Sequence, residues 1–190
     1  MTIRPQYWRI KLVAKQLFQG AVIAYPTEGV WGLGCLASNE EAIQRILSLK
    51  KRSWKQGLIL VASEISQVLP YADGLSEAEL RVLNDAWPGP VTYLLPKSID
   101  APDQITGKHD TVAVRVSNHP VVRAICQQIG QPLVSTSANP AGKTAAVSLL
   151  RVRQYFPDGI DYIFPGALGD SAGASEIRDL RTGDVVRVAT

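Results

Sequence analysis

The chain has 190 residues, 46% of them apolar and 19% charged, the balance of a folded protein rather than a disordered one. That length suits one domain, expected over 1–190, with a substantial buried core. A net charge of +3 permits an anionic partner without demanding one.

Apolar residues at Tyr7, Ile10, Val13, Ala14 and Leu17 have helical spacing, so a helix is expected over about 6–18, with Gly20 as its stop. Ala21–Tyr25 is a short apolar run ended by Pro26 and reads as a buried strand. Ser38 with Glu41 three residues later matches a capping box, opening a helix to about Lys50. Gly57–Val61 reads as a second strand. Helical stretches are expected near Glu64–Leu69 and Ser76–Ala86, and strands at Val91–Leu95, Val112–Val116 and Leu133–Ser135. A helix is expected from His119 to Ile129 and another over Leu149–Tyr155. Tyr162–Phe164 and Val185–Val188 read as extended, and the polar stretch Ser98–Asp110 as a mobile loop. Strict alternation of strand and helix fails mid-chain, so an α/β fold with a mixed sheet is expected rather than a doubly wound parallel one.

No apolar run approaches the ~20 residues of a membrane span. The polar start, Met1 to Gln6, lacks a leader's apolar stretch. No membrane association and a cytoplasmic location are expected. Cys35 and Cys126, with His109 and His119, lack ligand-like spacing, so no metal site is expected.

Four segments concentrate polar groups where strands end. Pro26–Gly34 follows a strand and holds three glycines in six residues, a tight turn or a place where a ligand approaches backbone. It also offers the Thr27 hydroxyl and the Glu28 carboxylate. Lys50-Lys51-Arg52-Ser53-Trp54-Lys55 puts four cations in six residues. They complement a helix C-terminus, or they await a polyphosphate or RNA. Arg115 interrupts the apolar strand Val112–Val116, so its guanidinium is either exposed on an edge or paired with an anion. Ser135–Thr144 is dense in short hydrogen-bonding groups, which suits phosphate or ribose and also a capped Asn-Pro turn. Its Gly142-Lys143-Thr144 imitates the end of a P-loop, but Ser137 stands where the first glycine should be. Without a nucleophile elbow or a zinc-protease motif, charge neutralisation and positioning are the chemistry these residues suit, as in phosphoryl or nucleotidyl transfer.

Five segments in order, PTEGVWGLG at 26–34, Lys50-x-Arg52, WPGPVT at 87–92, TVAVRV at 111–116 and STSAN at 135–139, resemble the YrdC-like family of threonylcarbamoyl-AMP synthases. The resemblance implies a twisted open mixed sheet with flanking helices and a large concave, basic cavity. It implies a nucleotidyltransferase that converts ATP, L-threonine and bicarbonate to threonylcarbamoyl-AMP and diphosphate, with Mg2+ carried by ATP. A tRNA threonylcarbamoyl-transferase complex would then place the group on the adenosine beside the anticodon. By the same resemblance Lys50 and Arg52 are the catalytic pair at the phosphates. Thr111, Ser137, Asn139 and Arg187 are further ATP contacts, and Thr27, Arg115, Ser135 and Ser175 contact threonine. The chain departs from the family's common residues at Gly29, Trp31, Gln56-Gly57, Ser117 and Glu176. Two alternatives stand beside this reading. One is a non-catalytic binder of double-stranded RNA that aids ribosomal RNA maturation through the same basic patch; the other is an adenylating enzyme that takes a different amine.

Overall fold

Alternation along the central strands decides which residues reach the site and which build the core. In the computed structural model, which describes residues 6–189, fifteen helices and strands form around one sheet. They are α1 (Tyr7–Phe18), β1 (Ile23–Pro26), β2 (Trp31–Leu36), α2 (Glu40–Lys50), β3 (Ile59–Ala62), α3 (Glu77–Ala86), β4 (Val91–Pro96) and α4 (Asp103–Thr106). After them come β5 (Thr111–Val116), α5 (Pro120–Ile129), β6 (Leu133–Ser137), α6 (Leu149–Tyr155), β7 (Tyr162–Ile163), β8 (Glu176–Asp179) and β9 (Val185–Arg187). The polar residues Met1 to Pro5, read above for a leader, lie outside the described residues, as does Thr190.

The sheet runs β7-β1-β2-β6-β3-β5-β4-β8-β9. Pairs β1/β7, β3/β5 and β4/β8 are parallel, and the remaining pairs are antiparallel. The expected mixed α/β sheet is therefore the observed one. Strand residues alternate between its two faces. Leu60, Val112, Val114, Val116 and Val134 turn to a core shared with Ile43, Ile46 and Leu47 of α2 and Leu83 of α3. Val61 and Leu133 turn the other way, against Val13 and Leu17 of α1 and Val122, Ile125 and Cys126 of α5. Trp31, Leu33, Val152 and Phe156 form a third cluster under α6. Among the described residues no helix is long and apolar enough to cross a membrane.

Several local expectations change. The cap of α2 is Asn39, whose side chain accepts from Ala42 N, not Ser38. The α3 helix does carry a capping box, Ser76 with Glu79. The stretch Glu64–Leu69 forms two short 3-10 turns, Ile65–Gln67 and Leu69–Tyr71, in place of a helix. The segment after β1, expected as a tight glycine-rich turn, continues into a strand, because Trp31–Leu36 pairs with both β1 and β6. Ser98–Asp110 contains the α4 turn with Ile105 and Thr106 buried, so its polar sequence conceals an anchored segment.

Candidate active site

The register β3/β5/β6 sets Ile59 beside Ala113 and Ser135, and Val61 beside Arg115. These residues share the face on which α1 and α5 pack, and a cavity of about 310 Å³ opens there. Thr111, Ala113 and Arg115 line it, while Val112, Val114 and Val116 fill the core behind. Arg115 thus belongs to an interior strand flanked by β3 and β4, which excludes the exposed-edge reading of its place in an apolar run.

Of the residues singled out from the sequence, Thr27, Arg52, Thr111, Arg115, Ser135, Ser137, Ser175 and Arg187 line this one cavity. Lys50 and Asn139 do not. Lys51 at the end of α2 takes a left-handed conformation, φ 53°, and Arg52 N bonds back to Leu47 O at 2.9 Å, the Schellman pattern. This turn sends the two cations apart. Arg52 goes to the cavity, donating to Gly57 O at 2.9 Å. Lys50 is buried, its Nζ donating to Ser137 O, to Asn139 O at 2.7 Å and to Asn139 Oδ1 at 3.4 Å. The chain closes the same contact from the other side, Ala141 N donating to Lys50 O at 2.8 Å. Three acceptors match the three donors of an ammonium, so Lys50 is held by the loop after β6 and does not line the cavity. Burial first, then the Arg52 charge, pushes the Lys50 ammonium down to about 7.

The electrostatics of the cavity are one-sided. Arg52, Arg115 and Arg187 line it, and among the described residues no Asp or Glu does. Burial lowers the Arg187 guanidinium, and the charges of Arg115 and Arg52 lower it further. The Nε atoms of Arg52 and Arg115 are buried without a hydrogen-bond partner among the described residues. An anion placed there would satisfy both and relieve the repulsion. Glu28 stands behind Arg115 as an ion pair at 3.2 Å. Its other oxygen accepts from Ser117 Oγ at 2.6 Å and Asn118 N at 3.1 Å. Burial alone would raise this carboxyl, but Arg115 and Ser117 outweigh it and hold the group below the usual range. Ser117 is one of the departures from the family's common residues, and here it orients the carboxylate that orients Arg115.

Part of the cavity wall comes from the strap 165–175, through Gly173, Ala174 and Ser175. Gly169 N donates to Thr27 O at 3.0 Å and Ser171 N to Glu28 O at 3.0 Å. A Cβ on Gly29 would stand 2.0 Å from Gly173 O, which accounts for glycine at that departure. The strap delivers Ser175, whose Oγ lies 2.9 Å from Thr92 Oγ1. Its carbonyl accepts from both Nε and Nη2 of Arg187, at 3.2 and 2.6 Å. Trp31 is buried in the α6 cluster, and Gln56 lines the cavity. Gly57 has φ +66°, a conformation closed to proline.

Thr92 and His109 join the site beyond the residues that the resemblance implies, and the Glu28 carboxylate gains its role as the partner of Arg115. Thr92 carried a signal, since it follows the Trp-Pro-Gly-Pro turn, but its contact with Ser175 comes from the β4/β8 pairing. His109 lies at the cavity inside the stretch read as a mobile loop. Among the described residues no group of three His, Cys, Asp or Glu could hold a metal ion.

The sequence model of the Sua5/YciO/YrdC family, described as "Telomere recombination", matches residues 15–189. The chain belongs to the Sua5/YciO/YrdC family. A threonylcarbamoyl-AMP synthase of Stutzerimonas stutzeri is 52% identical over 182 residues, covering 96% of this chain and 98% of the relative. One of Pseudomonas entomophila is 50% identical over 180 residues, covering 95% and 97%. Among solved structures, P. abyssi Sua5 complexed with L-threonine superposes with a TM-score of 0.88 at 34% identity, covering 94% of this chain and 53% of that one. The chain therefore spans about half the length of that family member. E. coli YciO shares the fold, with a TM-score of 0.86 at 24% identity, covering 98% of this chain and 91% of that one.

Proposed function

We propose that the chain is an ATP-dependent nucleotidyltransferase that makes threonylcarbamoyl-AMP from L-threonine and bicarbonate, releasing diphosphate. The observation that carries this reading is the cavity itself, where three guanidiniums meet a wall of hydroxyls with no lining carboxylate. Such a site suits substrates that are anionic at several points, as a triphosphate and a carboxylated amino acid are. Full-length relatives named for this synthesis, and a family structure holding L-threonine, support the choice of substrates. They do not favour the non-catalytic RNA-binding reading.

In the reaction, the threonine amine condenses with bicarbonate to N-carboxy-threonine with loss of water; an oxygen of that carbamate then attacks the α-phosphorus of ATP and diphosphate departs. Arg115, fixed by Glu28, holds the threonine carboxylate, with Thr27, Ser135 and Ser175 around it. Arg52 and Arg187 meet the negative charge that spreads over the phosphates, and Thr111 and Ser137 take nucleotide oxygens. Lys50 and Asn139 act through the loop they fasten, holding Ser137 in place. Magnesium enters with ATP as part of the substrate. The product is a mixed anhydride that hydrolyses readily, so a soluble transferase complex collects it for the adenosine beside the tRNA anticodon, in the cytoplasm. Residues 1–190 act as one catalytic domain.

Diphosphate release from ATP tests the proposal. It should require L-threonine and bicarbonate together. Release that ignores either one contradicts the reaction as written.

A further inference from the structure

The glycines of PTEGVWGLG make room for one side chain. Tyr25 on β1 faces Gly32 on β2, and Gly34 in turn faces Ser135 on β6. A Cβ on Gly32 would sit 3.3 Å from the Tyr25 ring, and one on Gly34 would sit 2.9 Å from the ring and 3.1 Å from its oxygen. The ring therefore lies across both glycines and reaches a strand two places away. There the phenol donates to Ser135 Oγ at 2.7 Å. Tyr25 is fully buried, and among the described residues this is its one side-chain hydrogen bond. A buried hydroxyl proton seeks an acceptor, and the Ser135 oxygen is the acceptor in reach.

We propose that Tyr25 is a positioning residue that fixes Ser135 as a hydrogen-bond donor toward the substrate. With its oxygen already accepting from the phenol, Ser135 turns its own proton into the cavity it lines. Burial pushes the phenol's titration up, so Tyr25 keeps its proton at any working pH. Thr27 is fixed in the opposite sense. Its hydroxyl donates to Val30 O at 2.7 Å, which leaves its lone pairs for the cavity. The two hydroxyls that share the cavity with Arg115 are thus preset, one as donor and one as acceptor. A carboxylate or carbamate oxygen fits Ser135, and an N–H or O–H of the same amino acid fits Thr27. This inference rests on the threonine reading above.

The test is calorimetric titration of the full chain with L-threonine, using wild type, Tyr25→Phe, Ser135→Ala and the double variant. Phenylalanine keeps the ring and removes only the donor. Y25F should weaken binding about five- to tenfold, the effect of one misdirected hydrogen bond. S135A should weaken it at least as much, and the double variant no further than S135A alone. Melting temperatures give a second cycle. S135A strands the buried phenol and should melt lower, whereas adding Y25F should restore part of the loss. Equal threonine binding by wild type and Y25F overturns this inference alone. So does additive weakening in the double variant. No threonine binding by the wild type overturns the substrate reading and this inference with it.

Discussion

Replacing Lys50 by methionine keeps an apolar stem and removes the ammonium that fastens the loop after β6. Two half-buried backbone carbonyls, Ser137 O and Asn139 O, lose the ammonium; Ser137 O keeps Asn139 N at 2.9 Å, so the cost falls mainly on Asn139 O, at about 1–3 kcal/mol. The variant, however, no longer buries a charge. Burial and Arg52 bring the folded-state ammonium to about 7 from 10.5. Between those values the unfolded chain holds a proton that the folded chain has released, so stability rises with pH across that window. The slope approaches about 1.4 kcal/mol per pH unit for one proton. Other groups complicate absolute curves, since burial raises the Cys35 and Cys126 thiols to about 12 and stability falls once the unfolded thiols ionise. The wild-type-minus-K50M difference cancels those terms. Urea unfolding at pH 5, 6, 7 and 8.5 should show that difference flat below about pH 6 and rising by about 1–2 kcal/mol from pH 7 to 8.5. A difference independent of pH over that range would refute the reasoning. It would mean that the three carbonyl acceptors offset the whole cost of burying the charge.

Arg52→Ala should cut adenylate formation by about 10²–10³-fold while shifting the melting temperature little, because among the described residues its side chain makes one hydrogen bond, to Gly57 O; activity within threefold of wild type would remove Arg52 from the reaction. Gly29→Ala drives a methyl toward Gly173 O and displaces the strap. It should cost about 1–3 kcal/mol in thermal or urea unfolding and raise KM for threonine more than KM for ATP. Unchanged values would show that the strap yields freely.

The sequence carried the strand alternation well and the pairing poorly. In TVAVRV the odd positions reach the cavity and the even ones fill the core, a division visible in the letters once the strand is recognised. That β5 lies between β3 and β4 is a long-range pairing no local pattern encodes, and the ambiguity of Arg115 followed from it. The β2 strand hid because its glycines read as a turn, when they are there to admit the ring of Tyr25. Strand β8, Glu176–Asp179, hid behind charged residues at a half-exposed position near the sheet edge. The adjacency of Lys50 and Arg52 was plain. Their divergence depends on the left-handed turn at Lys51, which a lysine gives no reason to expect.

The most direct test of the reaction is mass spectrometry of the product formed from ATP, magnesium, L-threonine and ¹³C-bicarbonate. An adenylate carrying one ¹³C, formed with L-threonine and absent when threonine or bicarbonate is withheld, is the predicted result. An unlabelled threonyl-adenylate, or no adenylate with any amino acid, would contradict the account.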